Sequence, residues 1–291
     1  MGNPRWPFLG TEARAQGLVT DHRLRTAYVA VHRNVYVPRG VELDATDKAV
    51  AAWLRSGRRG VLAGLSAGAL HNMRWIDANL PAELNRQSRD KVSGIVLHSD
   101  VLAADEICQR RGMPTTTAAR TAFDIGRIRD VQTAVIRLDA LRNATRVSVD
   151  QIDGIVARYP GARRIRVLRE AVALSDSGAE SPQETRTRLL LLKDKLPTPR
   201  TQIEVYDDDA FVARLDMGWP EYKVAVEFDG AQHWTDARQR SRDIDRIAEL
   251  ERLGWIVIRV SAEMLRARPH VILRRVRQAL IQRGLVVEKS A

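Results

Sequence analysis

The sequence predicts an α/β protein with an α-rich N-terminal half and a C-terminal half that combines strands with helices. In the C-terminal half, Val224, Val226 and Phe228 alternate with other residues, as in a strand with one apolar face. The apolar run 255–260 is typical of a buried strand. In the N-terminal half, the helical spacing of apolar residues across 131–141 predicts a helix that packs on a scaffold.

Acidic residues gather where two strands are predicted to meet. The segment 214–229 indicates two strands joined by a turn at Pro220, with Asp216 at the end of the first strand. Glu227 and Asp229 fall on one face of the second strand, roughly 6.6 Å apart. Because Asp216 is expected diagonal to Glu227, the three acids lie within reach of one shared ion.

This grouping has two interpretations. Carboxylates at strand ends can hold a hard divalent cation, which activates water for phosphodiester cleavage. No cationic partner for these acids is evident in the sequence, so we expect such an ion to relieve their repulsion. The alternative is an edge hairpin with a solvated acidic face.

Composition restricts the class of protein. The 291 residues carry a net charge of +11, which favours a polyanionic partner such as DNA. The single cysteine, Cys108, excludes an internal disulfide and disfavours a cysteine-based zinc site. No apolar stretch approaches the length of a membrane span, and residues 1–10 lack the apolar core of a signal peptide. We therefore expect a soluble, cytoplasmic protein without a membrane partner, of undefined oligomeric state.

Several short motifs follow one another in the C-terminal region. In chain order they are Ser181-Pro182-Gln183-Glu184, Arg200-Thr201-Gln202, Asp216, Glu227-Phe228-Asp229-Gly230 with His233, Asp243-Ile244-Asp245-Arg246 and Gly254-Trp255-Ile256-Val257-Ile258-Arg259. From Ser181 to about Met264 they resemble the small endonuclease domains related to very-short-patch mismatch repair endonucleases, in the PD-(D/E)xK superfamily. The resemblance implies a restriction-endonuclease-like mixed sheet with flanking helices.

The resemblance also implies functions for single residues. Asp216, Glu227 and Asp229 would bind Mg²⁺ or Mn²⁺, and His233 would orient or deprotonate the attacking water. Asp216, Glu227, His233 and Glu184 form the expected catalytic set. In one respect the chain departs from the superfamily, which has a lysine where Asp229 stands. Lys223 does not replace that lysine, because it lies roughly 13 Å from Glu227 along the strand.

Three motif residues have competing interpretations. Glu184 forms a catalytic group or, with Ser181, a capping box at the start of a helix. Arg246 contacts DNA phosphate or fixes the acidic cluster; otherwise it forms a surface ion pair with Asp243. Gln202 is a nucleic-acid contact or a structural residue at the start of a strand.

The N-terminal region gives a second resemblance. Helices from Thr20 onwards, a Val35-Tyr36-Val37 strand and a further helix resemble the winged-helix domain at the start of AbiEi-type antitoxins. Arg23 and Arg25 would then contact DNA phosphates. Further along the chain, a dense basic stretch is either a solvated face or a DNA-facing patch; its residues are Arg158, Arg163, Arg164, Arg166 and Arg169.

We expect three regions: a winged-helix-like region at 1–80, a mixed middle segment at 81–177 and an endonuclease-like domain at 178–291. The leading functional hypothesis is a metal-dependent DNA endonuclease in DNA repair or defence, with Mg²⁺ or Mn²⁺ as cofactor. The rival hypothesis is a non-catalytic DNA-binding regulator or antitoxin that retains the nuclease fold. The acids and His233 favour the enzyme, whereas the absent lysine and the antitoxin-like front half favour the regulator.

Overall fold

The computed structural model describes residues 5–87, 91–194, 196–230 and 237–286, without the side chains of 237–242. The chain divides into two compact units, Met1–Ala173 and Leu174–Ala291. Within the described residues, no helix is both long and apolar enough to cross a membrane.

The first unit opens with two short helices and a small antiparallel sheet. Its elements are β1 (Phe8–Leu9), α1 (Gly10–Ala15), α2 (Asp21–Ala27), β2 (Tyr28–His32), β3 (Val35–Pro38) and α3 (Ala45–Arg55). The strand order is β1-β3-β2. The hydroxyl of Thr20 accepts a hydrogen bond from the backbone N–H of Arg23, so the capped helix start predicted at Thr20 is confirmed.

A five-stranded mixed sheet and helices α4 to α8 complete the first unit. The elements are β4 (Val61–Leu62), α4 (Gly64–Leu70), β5 (Ala82–Asn85), β6 (Ile95–His98), β7 (Ile107–Arg110), β8 (Met113–Thr116), α5 (Ala118–Gly126), α6 (Val131–Thr145), α7 (Val149–Arg158) and α8 (Ile165–Leu174). The strand order is β6-β5-β4-β8-β7. The segment 94–98, with three successive apolar residues, predicts a strand, and β6 confirms it; the other strands, of two to four residues, show no such run.

A buried ion network joins this sheet to its helices. The Arg120 side chain, only 3% exposed, forms ion pairs with Asp100, Glu106 and Asp124. Arg158 also pairs with Glu106, which is fully buried. A buried carboxylate needs such partners to offset its desolvation, so Arg158 has a structural role. It is therefore removed from the basic stretch that was predicted as a possible DNA-facing patch.

The second unit is a four-stranded sheet with helices on both faces. Its elements are α9 (Pro182–Lys193), β9 (Arg200–Asp207), β10 (Ala210–Trp219), β11 (Val224–Asp229), α10 (Ala237–Arg252), β12 (Ile256–Ser261), α11 (Ala262–Ala267) and α12 (Pro269–Gln282). The strand order is β12-β11-β10-β9. Strands β9, β10 and β11 are antiparallel, whereas β11 and β12 are parallel and joined through α10.

Two apolar cores cover the two faces of this sheet. On one face, Val224 and Val226 pack with Ile272 and Val276 of α12. On the other face, Ala225 packs with Leu250 of α10. Residues 224 to 227 are all buried. The strand was predicted to have one apolar face, but it is a central strand covered on both faces.

The structure confirms the predicted α/β class and corrects one position. The turn at Pro220 is confirmed as a short 3₁₀ turn, Pro220–Tyr222, between β10 and β11. Asp216 was expected at the end of a strand, but it lies inside β10, three residues before Trp219. The sheet therefore surrounds Asp216 more completely than the sequence predicted.

Trp219 is the largest side chain in this core, and its removal should destabilise the second unit. It is 1% exposed, and its indole N–H donates to the carbonyl oxygen of Pro197 at 2.9 Å. We expect Trp219→Ala to lower the free energy of unfolding by roughly 3–5 kcal/mol in urea denaturation. Phe211→Ala, on the same strand but 59% exposed, should cost about 1 kcal/mol or less. Equal losses in the two variants would contradict this core assignment.

Candidate functional site

The candidate site centres on Asp216, where β10 meets β11. The last registered pair of these strands before the site is Met217 with Val226, which places Asp216 beside Glu227. The backbone N–H of Phe228 donates to Oδ2 of Asp216 at 2.7 Å. This bond fixes the Asp216 carboxyl across the strand pair.

The electrostatic environment of Asp216 is unfavourable for a carboxylate. Burial raises its pKa to about 7, and the negative charges of Glu184, Glu227 and Glu180 contribute to the increase. The hydrogen bond from Phe228 acts in the opposite direction but is too weak to cancel these effects. A cation beside Asp216 would favour its charged form.

Glu184 joins this environment from the first turn of α9. Burial also raises the pKa of its carboxyl. The hydroxyl of Ser181 accepts from the backbone N–H of Glu184, as predicted, but the predicted reciprocal bond is replaced. Oε2 of Glu184 instead accepts from the backbone N–H of Glu180 at 2.8 Å. Glu184 is therefore only half of a capping box, and its carboxyl is held in the range of Asp216.

Gln202 lies beside Glu184 in a strained backbone conformation. Its Nε2 donates to Oε2 of Glu184 at 3.4 Å. Its φ of 52° is in the left-handed region, which is uncommon for a side chain inside a strand and costs of order 1 kcal/mol. Nearby, Arg214 pairs with Glu180 at 2.9 Å. The strain at Gln202 orients its amide towards an acid of the cluster.

Glu227 pairs with Arg246, which is one of the alternatives predicted for this arginine. Nη1 and Nη2 of Arg246 donate to Oε1 and Oε2 of Glu227 at 2.7 and 3.1 Å. Nε of Arg246 also lies 3.7 Å from Oδ1 of Asp243. Helix α10 therefore delivers a positive charge to the same sheet face that carries Glu227.

Asp229 also has a partner that the sequence did not reveal. Arg259 of β12 forms an ion pair with its Oδ2 at 2.8 Å. Oδ1 of Asp229 is buried and has no hydrogen-bond partner among the described residues. An arginine after three apolar residues on a buried strand was the available signal for Arg259. The expectation that Asp216, Glu227 and Asp229 lack cationic partners is wrong for the last two.

The side chains around Asp216 fit a divalent ion only in part. Within the described ranges, no group of three or more His, Cys, Asp or Glu side chains is arranged to hold a metal. The chemistry of Asp216 nevertheless fits one, because hard cations prefer carboxylate oxygens and no arginine or lysine among the residues that the structure describes donates a hydrogen bond to this carboxyl. His233, the residue expected to orient water, lies outside the described residues.

The remaining predicted residues lie elsewhere. Lys223 donates to the carbonyl oxygen of Leu253 at 2.9 Å, so it contacts α10 rather than the acids. Arg23 and Arg25 lie on α2 of the first unit, where Arg23 lines a surface cleft together with Trp6. Their predicted contacts with DNA remain predictions.

Comparisons with known proteins give a family match in the second unit. Residues 193–280 match the family model REase_MTES_1575, a restriction endonuclease-like family. The restriction-endonuclease-like fold class is thereby confirmed for a segment that contains all four strands of the second-unit sheet. In a separate comparison, the chain is similar to two uncharacterized proteins of Mycobacterium tuberculosis, MT2308 of strain CDC 1551 and Rv2248 of strain H37Rv. Each is 28% identical over 187 residues, which is 64% of this chain and 68% of the relative. No solved structure gave a significant match.

The raised pKa of Asp216 predicts a pH-dependent stability in metal-free protein. Between its ordinary value of 3.8 and about 7, the folded state holds a proton that the unfolded state has released. The free energy of unfolding should therefore fall as pH rises through this window, by an amount on the order of 2–4 kcal/mol. Urea denaturation in EDTA at several pH values measures it.

Asp216→Asn should remove most of this decrease, since asparagine carries no titrating proton. Asp209→Asn, at an exposed position beside β10, is the matched control and should keep the wild-type profile. If the profiles of wild type and Asp216→Asn coincide, Asp216 does not titrate in this range.

Proposed function

We propose that the protein is a metal-dependent DNA endonuclease that hydrolyses phosphodiester bonds. One observation carries the proposal: Asp216 lies beside Glu227 across the β10–β11 pair, in the segment 193–280 that matches a restriction endonuclease-like family, and burial together with the charges of Glu184 and Glu227 raises its pKa. Such a group is costly in a protein that does not use it, because each buried acid raises the free energy of its neighbours' charged forms.

The site residues divide the reaction among them. Asp216 and Glu227 would hold the ion, and Asp229 would assist from the same strand face. A bound Mg²⁺ or Mn²⁺ would activate water and stabilise the charge that develops on the attacked phosphate. Glu184, whose charge raises the pKa of Asp216, would act as a proton-exchanging group of the same cluster. We assign the orientation or deprotonation of water to His233, on its place in the sequence motif.

The charge distribution supports DNA as the substrate and separates binding from chemistry. Residues 1–173 contain 27 Lys and Arg against 17 Asp and Glu, whereas residues 174–291 contain 20 against 19, within totals of 47 and 36. Nearly all of the net charge of +11 therefore belongs to the first unit. We propose that the first unit supplies most of the sequence-independent affinity for phosphate.

The element order of the first unit supports the resemblance of its N-terminal region to a winged-helix domain. Two short helices precede the antiparallel strands β2 and β3, an order expected of the winged-helix-like region. We propose that this region binds DNA and that Arg23 and Arg25 contact phosphates there. Exposed arginines around α8 extend the basic surface: Arg163, Arg166 and Arg169 make no ion pair within the described part of the chain.

A regulator without catalytic activity is the second candidate. The observation that favours it is that Glu227 and Asp229 are already neutralised by Arg246 and Arg259. In such a protein the acids would serve the fold and DNA binding alone would serve the function.

Cleavage assays decide between the two candidates. Wild type should nick supercoiled DNA in Mg²⁺ or Mn²⁺, and Asp216→Ala should abolish both nicking and divalent-ion binding in calorimetry. His233→Ala should lower the cleavage rate by about 10²–10⁴-fold with metal binding retained. Asp209→Ala, at an exposed acid, is the control and should cut like wild type. No cleavage by wild type on supercoiled or mismatched DNA would favour the regulator.

Charge reversal tests the assignment of DNA binding to the first unit. The triple variant Arg163→Glu, Arg166→Glu and Arg169→Glu should bind DNA at least about tenfold more weakly at low salt. Its log–log salt slope should shrink by roughly 0.9 for each phosphate that these arginines no longer neutralise. The control reverses three exposed arginines of the second unit, Arg266, Arg274 and Arg275, with the same change in net charge. Equal weakening in fluorescence anisotropy would mean that total charge alone sets the affinity.

A further inference from the structure

The Arg246–Glu227 pair differs from the buried Arg120 network of the first unit in the exposure of its arginine, and from the forked pairs Arg58–Glu12 and Arg158–Asp105 in the burial of its carboxylate. Both oxygens of Glu227 are occupied by the two terminal nitrogens of Arg246, in the fork geometry that gives the strongest arginine–carboxylate contacts. The Arg246 side chain nevertheless remains 27% exposed, whereas Arg120 in the network of the first unit is 3% exposed. Arg246 is therefore well bound but not enclosed.

This geometry creates a competition at Glu227. Mg²⁺ sits at about 2.0–2.1 Å from its oxygen ligands, and at Glu227 it would meet a carboxylate whose two oxygens already accept from Arg246. The ion would repel the positive charge of the guanidinium and withdraw electron density from the same oxygens. An ion that binds at Glu227 would therefore weaken the Arg246–Glu227 pair.

A guanidinium released from Glu227 could bind a DNA phosphate instead. Phosphate offers arginine the same bidentate geometry as carboxylate, and DNA bound at the site would present it beside the ion. We propose that Arg246 is a positioning residue, which occupies the cation position at Glu227 in metal-free protein and moves to a DNA phosphate when a divalent ion binds. This proposal rests on the proposed endonuclease function and adds an order of events to it.

Calorimetric titration of the full-length protein with Mn²⁺, without DNA, is the first test. Arg246→Gln should tighten Mn²⁺ binding about tenfold, equivalent to about 1.4 kcal/mol, because no competitor remains at Glu227. Arg246→Lys keeps the charge but removes the fork, and should tighten binding by a smaller factor of about three. Arg214→Gln removes a neighbouring positive charge that pairs with Glu180 instead, and should change binding by less than about twofold.

DNA affinity provides a readout that a purely structural pair would not change. Anisotropy with a labelled duplex, verified intact on a denaturing gel, is measured with EDTA and with Mn²⁺. Arg246→Gln should weaken DNA binding about fivefold or more with Mn²⁺ and leave it unchanged in EDTA. Equal weakening in both conditions would mean a permanent phosphate contact, and no weakening in either would mean a structural pair; each overturns the proposal.

The two levels of the hypothesis fail in different ways. Adding Asp216→Ala to each variant should abolish Mn²⁺ binding; if binding persists unchanged, the metal site is wrong and the competition at Glu227 falls with it. If binding depends on Asp216 but Arg246→Gln tightens it no more than Arg214→Gln does, the metal site stands and the competition is refuted. Should Arg246→Gln fail to fold by circular dichroism, the comparison of Arg246→Lys with Arg214→Gln decides.

Discussion

Strand β11 is the constraint on which the second unit depends. It pairs antiparallel with β10 and parallel with β12, and apolar side chains cover both of its faces. A strand in this position cannot leave polar side chains in water along most of its length. The acids at its C-terminal end, Glu227 and Asp229, therefore enter a region of low dielectric, where each needs a partner or a raised pKa.

The protein resolves its buried charges in two different ways. In the first unit, Glu106 is fully buried and shares Arg120 and Arg158, so that charge and hydrogen bonds are satisfied within the fold. In the second unit, Glu227 and Asp229 are paired, but Asp216 keeps a pKa of about 7 among other acids. A fold selected only for stability has no reason to retain the second arrangement. The contrast within one chain supports the proposal that the acids around Asp216 bind a ligand.

Elements with a clear local sequence pattern could be predicted from the sequence. Contacts that depend on how the strands align with one another could not. Strand β11, the helix at 131–141 and the cap at Ser181 were predictable because their signals are local. The partner of Glu227 was visible only as one of two hypotheses, since it comes from a helix 19 residues away. Arg259 was missed because its pairing requires the parallel register of β12 on β11, which no local pattern encodes. The strain at Gln202 is likewise a product of the assembled sheet.

The structure places positive charges near Asp229, where the resembling superfamily has a lysine. In the sequence, Asp229 replaces a positive charge with a negative one beside the expected metal ligands. In the structure, Arg259 from the neighbouring strand pairs with Asp229 and returns a positive charge to the same edge. Arg246 brings a second one from α10. The cluster therefore still contains positive charge, although it comes from α10 and β12 and not from a lysine on β11. Both cations are guanidinium groups, which can bind carboxylate or phosphate through two hydrogen bonds. Absence of the lysine therefore does not leave this cluster without positive charge, because Arg246 of α10 and Arg259 of β12 supply it.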